Sequence, residues 1–300
     1  LKGWAALLAA VLATSCASIL IRYCAAPPLV VSFYRMAIAS AILLPFAARA
    51  DRAWLRDAGV VATALGAGAL LGLHFATWIT SLGETSIASS VVLVATAPVF
   101  AALLSAVFLG ERAGRAAWIG IALAIAGSAL IAWGDASAQA REAHAAPLLG
   151  DALALAGALF GSAYLTLGRR VRARAPLTGY LALVYASGAA VAALGVCLRG
   201  QSLTGYGSRE WMLFAAIAIV PNLIGHSLLN WGVRRMRTYV VGVAILGEPI
   251  LATLYAMLLF GEFPGMQWAA GAALIGAGLV TVFLAEGPRA REEAEATAEL

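Results

Sequence analysis

Residues 87–128 recur at 238–279 at one constant offset of 151. Pro98 falls on Pro249, Leu103 on Leu254, Gly110-Glu111 on Gly261-Glu262, Gly114 on Gly265, Gly120 on Gly271 and Gly127 on Gly278. The opening of the chain recurs as well: Gly3, Ala5, Leu8, Ala9, Leu12, Ser15 and Arg22 reappear as Gly150, Ala152, Leu155, Ala156, Leu159, Ser162 and Arg169. The repeated sequence is overwhelmingly apolar, so the chain builds one hydrophobic unit twice. Each half holds an odd number of apolar spans, so in a bilayer the second unit is upside down relative to the first.

Cutting at charged residues and Pro/Gly breaks gives ten apolar stretches: 3–23, 28–48, 58–82, 86–109, 116–134, 148–168, 176–198, 211–233, 238–260 and 265–285. A spanning helix needs about 20 residues. The chain is 62% hydrophobic and only 12% charged, against about 25% charged in a soluble domain. The expected fold is all-α and polytopic: ten transmembrane helices arranged as two inverted five-helix repeats, 1–135 and 147–286, followed by an acidic tail, 287–300. The connections are too short for a separate soluble domain.

The basic residues orient the chain, because Lys and Arg are retained on the cytoplasmic side. With the N-terminus inside, fifteen of the 20 basic residues fall on inner segments. Only Arg22, Arg141, Arg199 and Arg209 fall outside, and Arg35 lies within a span. Both termini are therefore expected in the cytoplasm. The net charge of +5 then reads as a collar facing anionic lipid headgroups, and no nucleic-acid partner is expected. The three cysteines cannot build a disulfide framework. Cys24 and Cys197 both fall near the outer surface, which leaves a bridge between them open.

Gly68-x-x-x-Gly72 and Gly157-x-x-x-Gly161 are small-residue faces. They suit close helix contact, where the hydrophobic effect contributes little, and equally helices that slide. Pro98 and Pro249 sit about 18 Å into their spans, close to the midplane. Proline removes a backbone donor and clashes with the preceding turn, so both helices are expected to kink and frame a cavity.

Charges deep in lipid are expensive and mark function by default. The ionisable residues within spans are Arg35, Asp151 and Glu248. Asp151 reads as an interfacial group near a helix N-terminus. Glu248, about 16 Å deep, is a candidate for proton coupling or for a buried pair with Arg35. Arg35 suits a substrate carboxylate through its planar fork, or a structural tie. Asn222, His226 and Asn230 are spaced by four and share one helix face, which would line a cavity. His74 matches His226 at an offset of 152, and two inverted histidines suit proton transfer. The eight tryptophans fit interfacial belts, with Trp78 and Trp231 as weaker cavity candidates. Tyr164 and Tyr185, apolar rings with polar tips, suit an amphipathic ligand. No His/Cys/Asp cluster has metal spacing, and no cofactor is expected.

The segments TAPVFAALLSAVFLGERAGRAAWIGIALAIAGSALI (96–131), EPILATLYAMLLFGEFPGMQWAAGAALIGAGLV (248–280) and GDALALAGALFGSAY (150–164) resemble the EamA-type drug/metabolite transporters. Pro28 followed by Arg35 is similar to that family's first repeat. The resemblance covers about residues 3–285. It implies a bacterial inner-membrane exporter of small metabolites that works by alternating access as a monomer, with protons as a candidate partner. Length and layout are most similar to the branch exporting amino acids, aromatic ones included; other drug-like solutes are the alternative. The scarcity of fixed charge in the spans argues against phosphorylated substrates, which call for several cations. A membrane enzyme would need a nucleophile–base pair or a metal set, and neither is found. A passive channel would need a ring of charge or carbonyls about the membrane normal, and nothing here repeats in that way.

Overall fold

The computed structural model describes residues 2–85, 87–139, 147–260 and 266–298. Among these residues it is entirely helical, and ten helices are long and apolar enough to cross a membrane. We label them α1 (Lys2–Arg22), α2 (Pro28–Arg49), α3 (Ala58–Glu84), α4a (Ile87–Val94) with α4b (Ala97–Leu109), α5 (Arg115–Gln139), α6 (Pro147–Arg172), α7 (Leu177–Leu198), α8 (Ser208–Val233), α9a (Thr238–Ile245) with α9b (Glu248–Phe260), and α10 (Met266–Ala298). The last helix continues through the acidic tail as far as Ala298.

Local chemistry sets the helix starts. Proline opens α2 at Pro28, where its missing N–H costs nothing. The Asp57 carboxylate caps α3 by accepting from the backbone N–H of Gly59 at 3.0 Å and Val60 at 3.1 Å. Trp54, on the short 3-10 turn Ala53–Arg56, is buried against α7 at Gly179.

The fourth and ninth spans are broken, where a kink in a continuous helix was expected. Each resumes with proline at its second position, Pro98 in α4b and Pro249 in α9b. The break frees backbone carbonyls that lipid cannot satisfy. The Ser162 hydroxyl of α6 donates to Ala97 O at 2.7 Å, and the Thr96 hydroxyl to Leu93 O at 2.6 Å.

The contacts obey a two-fold exchange of the repeats. Helices α5 and α10 approach so closely that a Cβ on Gly120 would meet Gly278 O at 2.7 Å, and one on Gly127 would meet Gly271 O at 2.5 Å. Swapping each residue for its repeat mate converts the first contact into the second. His74 packs on Gly157 and Gly161; its mate Gly225 packs on their mates, Ala10 and Thr14. Thr85 packs on Gly150; its mate Met236 packs on Gly3. The two halves thus meet as inverted copies. Gly261, Glu262 and Gly265 lie outside the described residues.

Candidate functional site

Six of the predicted residues converge where the two repeats meet. Arg35 comes from the buried face of α2 that also carries Val31, Met36 and Ala39. Only 1% of it is exposed. Its Nε donates to Asn222 Oδ1 at 2.9 Å, its Nη2 donates to the same oxygen, and Asn222 Nδ2 donates back to Arg35 O at 3.1 Å. The guanidinium carbon lies 3.8 Å over the centre of the Phe75 ring, a desolvated cation–π contact of about 2 kcal/mol. Arg35 Nη1 has no hydrogen-bond partner among the described residues.

The asparagine–histidine stripe belongs to α8, where residues Ala218–His226 are wound as a π-helix around Pro221. Such bulges loosen the backbone and recur at functional sites. Here the Asn222 carbonyl accepts from the Tyr185 hydroxyl at 2.9 Å. His226 sets its ring against Phe75, edge to face at 5.5 Å, and lies 6.3 Å from Tyr164. Asn230 Nδ2 donates to the Tyr164 hydroxyl and, at 2.7 Å, to His226 O. Tyr164, Tyr185, Asn222 and Asn230 are all buried, so in this conformation the cluster is closed over on itself. Toward the face opposite the termini, Tyr34 stacks on Phe214 at 4.6 Å, and its hydroxyl donates to Leu203 O.

His74 and Trp78 turn toward α6. His74 Nδ1 lies 2.8 Å from Gly157 O. A carbonyl can only accept, so Nδ1 carries the proton and donates. Trp78 lies parallel to the His74 ring at 6.0 Å, with its Cβ against Gly157. The two side chains seat α3 on the Gly157-x-x-x-Gly161 face of α6. His74 and His226 are also not mates in the contact pattern. His74 corresponds to Gly225, and His226 to Phe75, the central residue that sequence reasoning missed. The signal was available: Phe75 and His226 differ by the same 151 as the strongest repeat. Tyr180, buried and with its hydroxyl unpartnered among the described residues, reaches the same point beside Gly168 as Asn230 Oδ1. Trp231 lies under Arg235, 3.7 Å from its ring centre to the guanidinium carbon.

Glu248 is the first residue of α9b, in the positive field of a half-helix N-terminus. It lies beside Thr14 of α1, whose hydroxyl donates to Ala10 O at 3.0 Å. No ion pair joins it to Arg35 among the described residues; Asn222 takes the guanidinium instead. Asp151 accepts from the Thr85 hydroxyl at 2.8 Å and so ties α6 to the end of α3. Cys16, Cys24 and Cys197 are free thiols, which removes the Cys24–Cys197 bridge. Among the described residues no group of His, Cys, Asp and Glu is placed to hold a metal.

A second polar cluster closes the face that carries the termini. Gly110, at φ 71°, ends α4b in the left-handed conformation and turns Glu111 inward. Glu111 pairs with Arg169 at the end of α6, and Arg169 Nη1 also donates to Val233 O at 2.6 Å and to Met236 O. Partial burial pushes the Glu111 carboxyl above its ordinary value, against the opposing pull of Arg169. This cluster joins a loop of the first repeat to the second repeat.

Comparison with curated proteins returns no match. A solved structure described only as "Crystal structure of protein" is similar over 94% of this chain and 96% of its own, at 23% identity and a TM-score of 0.76. At that identity the likeness speaks for the fold alone. The sequence profile described as "EamA-like transporter family" matches twice, over residues 1–133 and 148–284. With both halves matched, the chain belongs to the EamA-like transporter family, a family of membrane transporters rather than enzymes.

Proposed function

We propose that this transporter exports small amphipathic metabolites, with amino acids, aromatic ones included, as the favoured class. It works by alternating access in a bacterial inner membrane, with both termini cytoplasmic and a single chain as the working unit. The observation that carries this reading is the composition of the central cluster. One guanidinium with a donor to spare lies over the ring of Phe75 and is joined through Asn222 to Tyr185, and among the described residues no second cation hydrogen-bonds to these groups. A nucleotide or sugar phosphate calls for several cations. A small molecule with one carboxylate and an apolar body needs one cation and aromatic walls. The basic collar supports the orientation, and the broken α4 and α9 are the discontinuous helices expected where a carrier binds its solute.

The test is counterflow in proteoliposomes with radiolabelled amino acids, with and without an imposed pH gradient. Saturable uptake that exchanges with unlabelled solute supports the carrier. Linear flux without exchange supports a channel and rejects this reading. Exchange of uncharged drug-like solutes to the exclusion of amino acids moves the substrate to the other branch of the family.

A further inference from the structure

Arg35 is a buried cation whose side-chain hydrogen bonds go to a neutral group. Buried charges are ordinarily paired with an opposite charge. Among the described residues no carboxylate forms an ion pair with Arg35. Glu248 is near enough for its charge to act on the guanidinium, and still forms no ion pair with it. Asn222 stands where an anionic partner would. Its Oδ1 accepts from Arg35 Nε at 2.9 Å and from Nη2, and its Nδ2 donates back to Arg35 O at 3.1 Å. Nε and Nη2 form an edge of the guanidinium that a carboxylate grips with two parallel bonds. The carboxamide oxygen takes the seat of a carboxylate oxygen without its charge.

Both partners are placed for an exchange. Asn222 follows Pro221 in the π-helical turn Ala218–His226, where the backbone is loosened. Its carbonyl is held by the Tyr185 hydroxyl at 2.9 Å, so the side chain can swing while the main chain stays. Arg35 keeps the Phe75 ring under its guanidinium at 3.8 Å, so it holds its place when Asn222 lets go. Its Nη1 has no hydrogen-bond partner among the described residues and is the donor an arriving anion meets first. The tie also spans the two halves, since α2 belongs to the first repeat and α8 to the second. Tyr34, the residue before Arg35, stacks on Phe214 of the same α8 at 4.6 Å. Helices α2 and α8 are therefore fastened at two neighbouring points, of which an anion can undo one.

We propose that Asn222 is a built-in stand-in for the solute's carboxylate: it occupies the Arg35 fork while the site is empty, the carboxylate displaces it, and the displacement unties α2 from α8. The proposal rests on the carboxylate-bearing solute argued above and adds a specificity-determining residue to it. A carboxylate wins the exchange because its bond to a guanidinium is charge-assisted on both sides, whereas a carboxamide brings no charge. A neutral solute of the same shape does not win it, so the halves stay fastened. Selectivity for the anionic group thus comes from a competitor carried by the protein as well as from Arg35.

The experiment is counterflow of labelled L-phenylalanine in proteoliposomes holding the full chain, with phenethylamine, which lacks the carboxylate, as competitor. Asn222→Ala removes the stand-in. Its half-saturation for phenylalanine should fall about tenfold, the scale of one hydrogen bond to a charged group that no longer has to be displaced. The inhibition constant of phenethylamine should stay at the wild-type value. Asn222→Asp fixes a carboxylate on the fork, and its half-saturation for phenylalanine should rise at least tenfold while phenethylamine binds no more weakly. Asn222→Asp keeps the acceptor on Arg35, so it carries the test where Asn222→Ala fails to fold. An unchanged or higher half-saturation in Asn222→Ala overturns the stand-in. So do constants for phenylalanine and phenethylamine that weaken together in Asn222→Asp. In both cases saturable exchange by the wild type leaves the parent reading standing. A wild type that exchanges none of the twenty amino acids removes both.

Discussion

The rings of Phe75 and His226 meet edge to face with centroids 5.5 Å apart, at positions separated by the repeat offset of 151. A residue that touches its own repeat mate lies on the axis that exchanges the repeats, so this pair marks the centre of the bundle. The symmetry ends in the chemistry. Phe75 offers a face to Arg35, whereas His226 brings a nitrogen, Nδ1, without a hydrogen-bond partner among the described residues. Phe75→Leu keeps the apolar bulk but removes the ring face under the guanidinium. Stability of the detergent-purified protein should fall by about 1–2 kcal/mol, with transport falling alongside. Thermal unfolding and counterflow on the same preparation check this.

The α5–α10 contact sets a steric test. A side chain on Gly127 meets the Gly271 backbone, which cannot retreat without parting the helices. Gly127→Val should cost about 3 kcal/mol or more and reduce the monodisperse fraction on size-exclusion chromatography. Gly66→Ala, whose added Cβ meets nothing within 4 Å among the described residues, should leave stability unchanged or slightly raised.

Glu111 gives a pH dependence with a definite sign. Burial holds its folded-state value above the ordinary 4.5. Between those two values the folded protein binds more protons than the unfolded chain, so stability falls as pH rises through that window and is level above it. Glu111→Gln should remove this slope from a plot of Tm against pH. It leaves in place the Arg169 hydrogen bonds to Val233 O and Met236 O. A slope that survives the substitution assigns the titration to another group.

Glu248 separates coupling from binding. It sits at the N-terminus of α9b beside Thr14, without an ion pair to Arg35 among the described residues. Glu248→Gln should retain saturable exchange while losing the stimulation by an imposed pH gradient. Stimulation equal to that of the wild type removes Glu248 from coupling.

The fold was legible because the duplication and the hydrophobic spans are written in single residues: Pro98 and Pro249 announced the interruptions, and Gly120, Gly127, Gly271 and Gly278 the close helix pair. Register within the centre was less legible. A one-residue shift, 152 for 151, paired His74 with His226, when the mate of His226 is Phe75. The π-helical winding at Ala218–His226 leaves no trace in hydrophobic period, so a spacing of four could show a shared face but not which partners it would meet. The Arg35–Asn222 tie joins residues 187 positions apart and depends on tertiary packing alone. Glu248 looked like a partner for Arg35 by charge; the break in α9 set it at a helix start beside Thr14 instead.

The most direct test of two inverted halves moving about a common centre is a reversible lock across them. Gly242 of α9a and Ala101 of α4b belong to different repeats, and a Cβ on Gly242 would lie 3.7 Å from that of Ala101, within the range of a disulfide. In a background with Cys16, Cys24 and Cys197 replaced by Ser, Ala101→Cys with Gly242→Cys should transport when reduced, stop when oxidised, and recover with reductant. Fully cross-linked protein that transports at the reduced rate would contradict the account.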